Sequence, residues 1–262
     1  MNQNHTMITK GQIDRIEFRD GRMFIFGWAA TRNAGLMTDI QLSINHNMQS
    51  GFEKDLNYAS PDVKDVHPDL DHTENCRFAI HFPVDADSIS KFDDSIFEIT
   101  PIFEKCAGWR LYYLNSPALP VPGETLVSSI GGGFNNIGIE YLTYFTELGG
   151  LKSNGHVLDP GCGVGRMAYT LAYYLEQSGR YEGFDVMPDV IQWAQHEITP
   201  RHPNFTFQQI PVYNQHYNPE GTILGKDIVF PFENSHFDLA ILTSVFTHMQ
   251  GEELRRYLSE LY

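Results

Sequence analysis

The sequence predicts two domains of different class, an all-β sandwich followed by an α/β domain with a doubly wound parallel sheet. Residues 1–114 contain six short segments of alternating or β-rich character. Residues 131–262 alternate short apolar runs with helical repeats, as consecutive βαβ units do. The proline-rich segment between them is typical of a linker, which we place at residues 115–130.

The N-terminal domain is expected to be an antiparallel sandwich. Asp20 and Gly21 stand between its first two segments and predict a two-residue hairpin turn. Trp28 is expected in the core rather than on a sugar-stacking surface. The predicted strands cover residues 12–18, 23–30, 38–44, 77–82, 96–103 and 109–114.

This domain resembles small β-sandwich modules that are appended to bacterial glycosyltransferases. The resemblance rests on Gly11, the Asp20-Gly21 turn, Gly27-Trp28-Ala29 and Arg77-Phe78. It implies a module that positions a glycan or a partner protein. The alternative is a passive structural domain, which we favour because fold analogy alone does not locate a site.

The α/β domain is expected to begin with a helix. Residues 131–150 offer an asparagine cap, and their apolar positions repeat with helical spacing. The glycine-rich entrance to this helix contains Phe134, which is either a cover over a bound cofactor or part of an interdomain hinge. The apolar positions are Ile137, Tyr141, Leu142, Phe145 and Leu148.

The most informative segment, residues 156–166, joins a short apolar strand to a glycine-rich turn. Asp159 follows the strand residues Val157 and Leu158, and three glycines then leave the backbone open to a ligand. A helical repeat from Met167 follows, and we expect Gly179 to end it. The glycines are Gly161, Gly163 and Gly165.

The spacing separates two possible ligands. A dinucleotide fingerprint reads Gly-x-Gly-x-x-Gly, whereas here the third glycine comes one residue early and Arg166 occupies its place. An acid beside a pyrophosphate is unfavourable, whereas Asp159 suits a ligand with positive charge. The spacing and the acid therefore argue against an NAD-dependent oxidoreductase and favour S-adenosylmethionine as the ligand.

An acid followed by Gly-x-Gly-x-Gly at the end of a strand resembles the first motif of class I S-adenosylmethionine-dependent methyltransferases, which have a Rossmann-like fold. The resemblance implies that Asp185, at the end of a second strand, holds the cofactor ribose. It further implies that Val186 and Met187 flank the adenine. Pro211 stands where many relatives have an acid that contacts the adenine amino group, so that side-chain contact is missing.

Four further groups complete the predicted site. Thr243, Ser244 and Phe246 match the segment under the methionine end of the cofactor. His248 is a candidate for taking a proton from the acceptor, or it only orients the next helix. Arg166 either anchors the cofactor carboxylate or pairs with a nearby acid. Cys162 is expected to contribute its backbone rather than a nucleophile.

The remaining elements follow from periodicity. A helix is expected from Pro188 through Ala194, strands at residues 205–210 and 237–243, and a helix over residues 252–261. Relatives continue with about three further strands, so we expect an incomplete sheet whose fourth strand is an apolar edge.

Composition limits the function classes. The chain has 18 basic and 33 acidic residues and a net charge of −15, which argues against nucleic-acid partners. The three cysteines have no metal spacing, and without a signal peptide or long apolar run a cytoplasmic location without membrane insertion is expected. His67, Asp69, Asp71 and His72 form a solvated acidic loop, so no metal site is predicted.

The predicted activity is methyl transfer from S-adenosylmethionine to a hydroxyl or amine of a small molecule or glycan, by in-line displacement. The incomplete sheet and Pro211 leave a second hypothesis, a non-catalytic glycan-binding or adaptor protein with a relic cofactor fold. The sequence leaves the acceptor and the oligomeric state open.

Overall fold

The computed structural model of this chain describes residues 9–130 and 134–262. The chain divides between Ala118 and Leu119 into two compact units, which we call the N-terminal and C-terminal units. Within the described ranges, no helix combines the length and the apolar composition that crossing a bilayer requires.

The N-terminal unit consists of two four-stranded antiparallel sheets, with the orders β1-β2-β6-β5 and β4-β3-β7-β8. It also contains the short helix α1, Pro61–Val66. The strands are β1 Thr9–Arg19, β2 Arg22–Thr31, β3 Met37–Ile44, β4 Asn47–Met48, β5 Glu53–Tyr58, β6 Arg77–Pro83, β7 Ser95–Phe103 and β8 Leu111–Asn115.

Alternating apolar residues of both sheets form one core in this unit. Ile25 and Ile80 of the first sheet and Leu42 and Ile99 of the second are completely buried. The predicted all-β class is therefore confirmed. The strands β4 and β5 were not predicted, because the polar sequence of β5 lacks the alternation that marks a half-buried strand.

The first hairpin has the predicted turn. Asp20 and Gly21 adopt φ angles of +52° and +67°, and Arg19 pairs with Arg22 across the two-residue loop. Positive φ at both positions is the geometry that matches the twist of the two strands.

The C-terminal unit contains a parallel sheet with the order β11-β10-β9-β12. Its strands are β9 His156–Pro160, β10 Arg180–Asp185, β11 Phe205–Gln209 and β12 Leu239–Ala240. Its helices are α2 Glu124–Ile130, α3 Asn135–Glu147, α4 Arg166–Tyr174, α5 Pro188–Glu197 and α6 Gly251–Leu261. The predicted α/β class with a Rossmann-like parallel sheet is confirmed.

The strand order changes direction beside β9. From β9 the chain moves outward through β10 and β11, and it then returns to place β12 on the other side of β9. In open α/β sheets such a switch point creates a crevice outside the carboxyl ends of the strands, where ligands bind.

Several predicted boundaries in the C-terminal unit are wrong. Helix α4 ends at Tyr174 because Leu175 is already extended, so Gly179 does not terminate it. Helix α3 has Phe134 at its N-cap without a side-chain cap, so the expected asparagine cap is absent. Part of the predicted linker forms α2, and the fourth strand is reduced to Leu239 and Ala240.

Candidate functional site

A cavity of about 620 Å³ lies at the carboxyl ends of β9 and β10, beside the segment that follows β12. Its size falls within the range of small-molecule sites. Ten predicted site residues line it: Gly161, Cys162, Gly163, Arg166, Asp185, Val186, Met187, Thr243, Ser244 and His248.

The glycine-rich loop after β9 needs glycine at its first position. Gly161 has a φ of +80°, and a Cβ atom there would lie 2.6 Å from Cγ2 of Val245. The N–H groups of Gly161 and Cys162 donate to the carbonyl oxygen of Phe184 over 2.7 and 3.1 Å. The loop is therefore tied to β10, and Val245 lies next to it.

Asp185 ends β10 and faces the cavity with only 7% of its surface exposed. Its carboxylate accepts the N–H groups of Gly163 and Met187 at 2.9 and 3.0 Å. Burial raises the pKa of Asp185, and these backbone hydrogen bonds oppose that rise. Each oxygen keeps acceptor capacity for a ligand.

Asp159 does not face the cavity, which corrects the prediction that it frames the ligand. It is fully buried, and its Oδ2 accepts the hydroxyl of Tyr181 at 2.6 Å. Its other oxygen, Oδ1, has no hydrogen-bond partner among the described residues. Burial, with a smaller contribution from Asp185, raises the pKa of Asp159 to about 7 against the opposing hydrogen bond from Tyr181.

Three other predicted residues also lie off the cavity wall. Phe134 is buried with its ring edge-on to Tyr169 at 5.2 Å, and the predicted glycine-rich entrance, residues 131–133, lies outside the described residues. Phe246 packs in the apolar cluster of the C-terminal unit. Gly165 precedes α4 with a φ of +75° and lies against Ile198, so it shapes the turn.

Arg166 and Cys162 line the cavity in a desolvated setting. Burial lowers the pKa of Arg166, and the neighbouring Tyr141 opposes this change. Burial also raises the pKa of the Cys162 thiol well above its usual range, and Asp159 and Asp185 add to the rise. A thiol that resists ionisation is a poor nucleophile.

Sequence reasoning missed the cavity-facing side of α3. Ile137, Glu140, Tyr141 and Tyr144 follow helical spacing and line the cavity, whereas Leu142 is completely buried. The signal was present in this spacing. An apolar repeat alone, however, does not distinguish residues that pack on the sheet from residues such as Ile137 and Tyr141 that line a cavity.

The loop after β11 provides another wall that no periodicity indicated. The side chain of Asn214 accepts the N–H groups of His216 and Tyr217 at 2.9 and 3.1 Å, which closes a turn. The ring of Tyr217 then lies edge-on to His248 with centroids 5.3 Å apart. Further lining residues from this loop and α6 are Val212, Tyr213, Glu253 and Tyr257.

The acidic loop of the N-terminal unit is occupied by protein contacts. Arg32 pairs with Asp69 at 2.6 Å, and the N–H of Asn33 donates to Asp71. The His67 ring packs on Trp28, which is buried as predicted. Within residues 9–130 and 134–262, no group of histidine, cysteine and acidic side chains is arranged to hold a metal ion.

Residues 157–262 match a family model described as a methyltransferase domain. Among solved structures, coclaurine N-methyltransferase bound to N-methylheliamine and SAH is 16% identical, over 54% of this chain and 35% of that chain, with a TM-score of 0.37. PKMT2 from Rickettsia typhi in complex with AdoHcy is 18% identical, over 42% of this chain and 19% of that chain, with a TM-score of 0.32. A SAM-dependent methyltransferase from Aquifex aeolicus is 18% identical, over 44% of this chain and 53% of that chain, and its TM-score is also 0.32. The chain thus spans at most about half the length of these proteins.

Proposed function

We propose that the protein transfers a methyl group from S-adenosylmethionine to a hydroxyl or amine of a small molecule or glycan. The match of residues 157–262 to a methyltransferase-domain model supports this proposal, together with the motifs that resemble class I enzymes. Asp185 carries the proposal. It is a nearly buried carboxylate that opens into the cavity beside a glycine-rich loop.

The cavity residues fit the cofactor in chemical type. A carboxylate such as Asp185 accepts hydrogen bonds from two ribose hydroxyls. Arg166 offers the planar, permanently charged group that suits the cofactor carboxylate. Val186 and Met187 provide an apolar wall for the adenine, while Thr243 and Ser244 supply small polar side chains for the methionine end. The absence of an acid at Pro211 leaves the adenine amino group to other contacts.

Bound there, S-adenosylmethionine would supply an activated methyl group, which an acceptor heteroatom takes by in-line displacement while the sulfur leaves as a neutral thioether. The protein's part is to hold both reactants in line and to keep water out, which is worth roughly 7–11 kcal/mol. His248 lines the cavity and is the side chain that we assign to accept the acceptor's proton.

Isothermal titration of the whole chain with S-adenosylmethionine and S-adenosylhomocysteine tests cofactor binding. Asp185→Asn keeps the shape but removes the charge, so we expect about tenfold to 100-fold weaker binding. Asp189→Asn is the matched control, since Asp189 is exposed in the first turn of α5 and does not line the cavity. If the whole chain bound neither ligand, or if Asp185→Asn bound as well as the control, the proposal would be wrong.

The role of His248 is tested by transfer of isotopically labelled methyl groups to small molecules and glycans of a cell extract. We expect His248→Gln to slow transfer by about 100-fold, while cofactor affinity stays unchanged. An equal rate in this variant would remove the proton-accepting role without affecting cofactor binding. Mass spectrometry of the labelled product identifies the acceptor.

A further inference from the structure

The geometry of α3 points to a subsite for a cationic nitrogen, and we propose that the methyl acceptor is a small molecule that carries one. We call Glu140, Tyr141 and Tyr144 the α3 cage. The inference rests on the proposed function, because it names the class of substrate that the same cavity takes.

The α3 cage is a connected group of side chains. The hydroxyl of Tyr144 donates to Oε1 of Glu140 at 2.8 Å, and the Tyr144 ring lies edge-on to the Tyr141 ring with centroids 5.8 Å apart. All three side chains line the cavity. The hydrogen bond with Glu140 raises the pKa of Tyr144 to about 12, so this hydroxyl remains a donor at physiological pH.

The chemistry of the α3 cage suits a cation. Glu140 is exposed and Tyr144 is 37% exposed, so a ligand in the cavity can reach the carboxylate and the ring. The hydrogen bond from Tyr144 uses only part of the acceptor capacity of Glu140. Aromatic faces attract ammonium groups, and a carboxylate adds a charge-assisted contact.

The charges in the rest of the cavity also favour a cationic substrate. Among the described side chains that line it, three carry carboxylates and one carries a guanidinium: Glu140, Asp185, Glu253 and Arg166. The proposed function assigns Arg166 to the cofactor carboxylate. Tyr213 and Tyr217 add two more partly exposed rings. An anionic acceptor would meet repulsion here, whereas a cationic acceptor meets carboxylates and aromatic rings.

Two probes of equal shape, of which only one is charged, isolate the contribution of a positive charge to binding. Choline carries a quaternary nitrogen where 3,3-dimethylbutan-1-ol carries a carbon atom. With the cofactor part of the cavity saturated by S-adenosylhomocysteine, saturation-transfer NMR titrations at constant ionic strength give both affinities. We expect choline to bind at least about tenfold more tightly than the carbon isostere. Methyl glucoside, a neutral sugar, is expected to bind no better than the isostere.

Two variants locate the effect. Glu140→Gln should reduce the preference for choline to within about twofold, because it removes the charge of the α3 cage. Glu147→Gln removes a charge from the same helix outside the cavity and should keep both the preference and the affinity for S-adenosylhomocysteine.

The outcomes separate the two proposals. If S-adenosylhomocysteine binds while choline binds no better than its isostere, or methyl glucoside binds best, the cationic subsite is wrong and the proposed function stands. If the preference persists in Glu140→Gln, the cation is not held by the α3 cage and the inference is also overturned. If S-adenosylhomocysteine does not bind, both proposals fail.

Discussion

In the N-terminal unit, Arg77 reaches Asp14 and Asp62 at 2.7 and 2.6 Å from a position near the surface. In the C-terminal unit, by contrast, Asp159 and Asp185 are buried carboxylates at the ends of adjacent strands, and neither has an ion-pair partner among the described residues. Both units have a well-packed apolar core. They therefore differ in where they place charge.

Burying a carboxylate without a cation is costly, and a hydrophobic core does not require it. The N-terminal unit shows this, because its buried polar residues are uncharged over the part that the structure describes. Perturbed carboxylates that cluster beside a cavity mark functional sites. The difference supports the proposal that the chemistry takes place at the ends of β9 and β10, and it distinguishes a cavity-facing acid, Asp185, from an inward-facing one, Asp159.

The largest expected effect concerns the pH dependence of stability at Asp159. Its pKa is raised from 3.8 to about 7, chiefly by burial. The folded state therefore holds a proton that the unfolded state releases. The resulting stabilisation is complete below pH 3.8 and is lost as the pH rises through about 7. Between these values the free energy of unfolding should fall by about 1.4 kcal/mol per pH unit from this group, or about 4 kcal/mol in total.

Asp159→Asn removes this titration, and the amide oxygen takes the place of the carboxylate Oδ2 as acceptor of the Tyr181 hydroxyl. Hydrogen exchange of β9 and β10, measured at about pH 5 and about pH 8, reports the stability of this unit. We expect the stability of Asp159→Asn, relative to that of the unmodified protein, to increase as the pH rises. The exposed Asp65→Asn serves as the control and should give no such gain. Parallel pH profiles for Asp159→Asn and the unmodified protein would show that Asp159 ionises normally when folded.

The strand ends could be predicted from sequence, but the direction of Asp159 could not. A short apolar run followed by glycines predicts both β9 and the loop, whereas Asp185, at the end of a second short strand, was singled out by the family resemblance. Strands of a parallel sheet are buried on both faces, so the sequence does not indicate which face is next to the ligand. The partner that holds Asp159 inward is Tyr181, a residue of the neighbouring strand.

The wall contributed by α3 was missed although its residues follow a helical repeat, and the wall contributed by the loop after β11 could not be predicted at all. Tyrosine is apolar enough to satisfy a helical repeat, so Tyr141 looked like a core residue although it lines the cavity. The loop presents Tyr217 through a turn that Asn214 closes, and such local side-chain hydrogen bonds leave no periodic pattern.

A smaller effect distinguishes a glycine at the site from one at an ordinary turn. Gly161 and Gly21 both have positive φ, +80° and +67°, but a Cβ at Gly161 meets Val245 at 2.6 Å while a Cβ at Gly21 meets nothing within 4 Å. Gly21→Ala should cost about 1–2 kcal/mol of backbone strain. Gly161→Ala adds the clash and should cost about 2–4 kcal/mol.

Cofactor titration separates the two variants further. Gly161→Ala shifts the loop whose backbone borders the cavity, so affinity for S-adenosylhomocysteine should fall by at least about tenfold. Gly21→Ala changes the N-terminal unit and should leave that affinity unchanged. Thermal unfolding checks that both variants are folded at the temperature of titration. Equal affinities in the two variants would mean that the loop after β9 does not contact the cofactor, because strain alone is common to both positions.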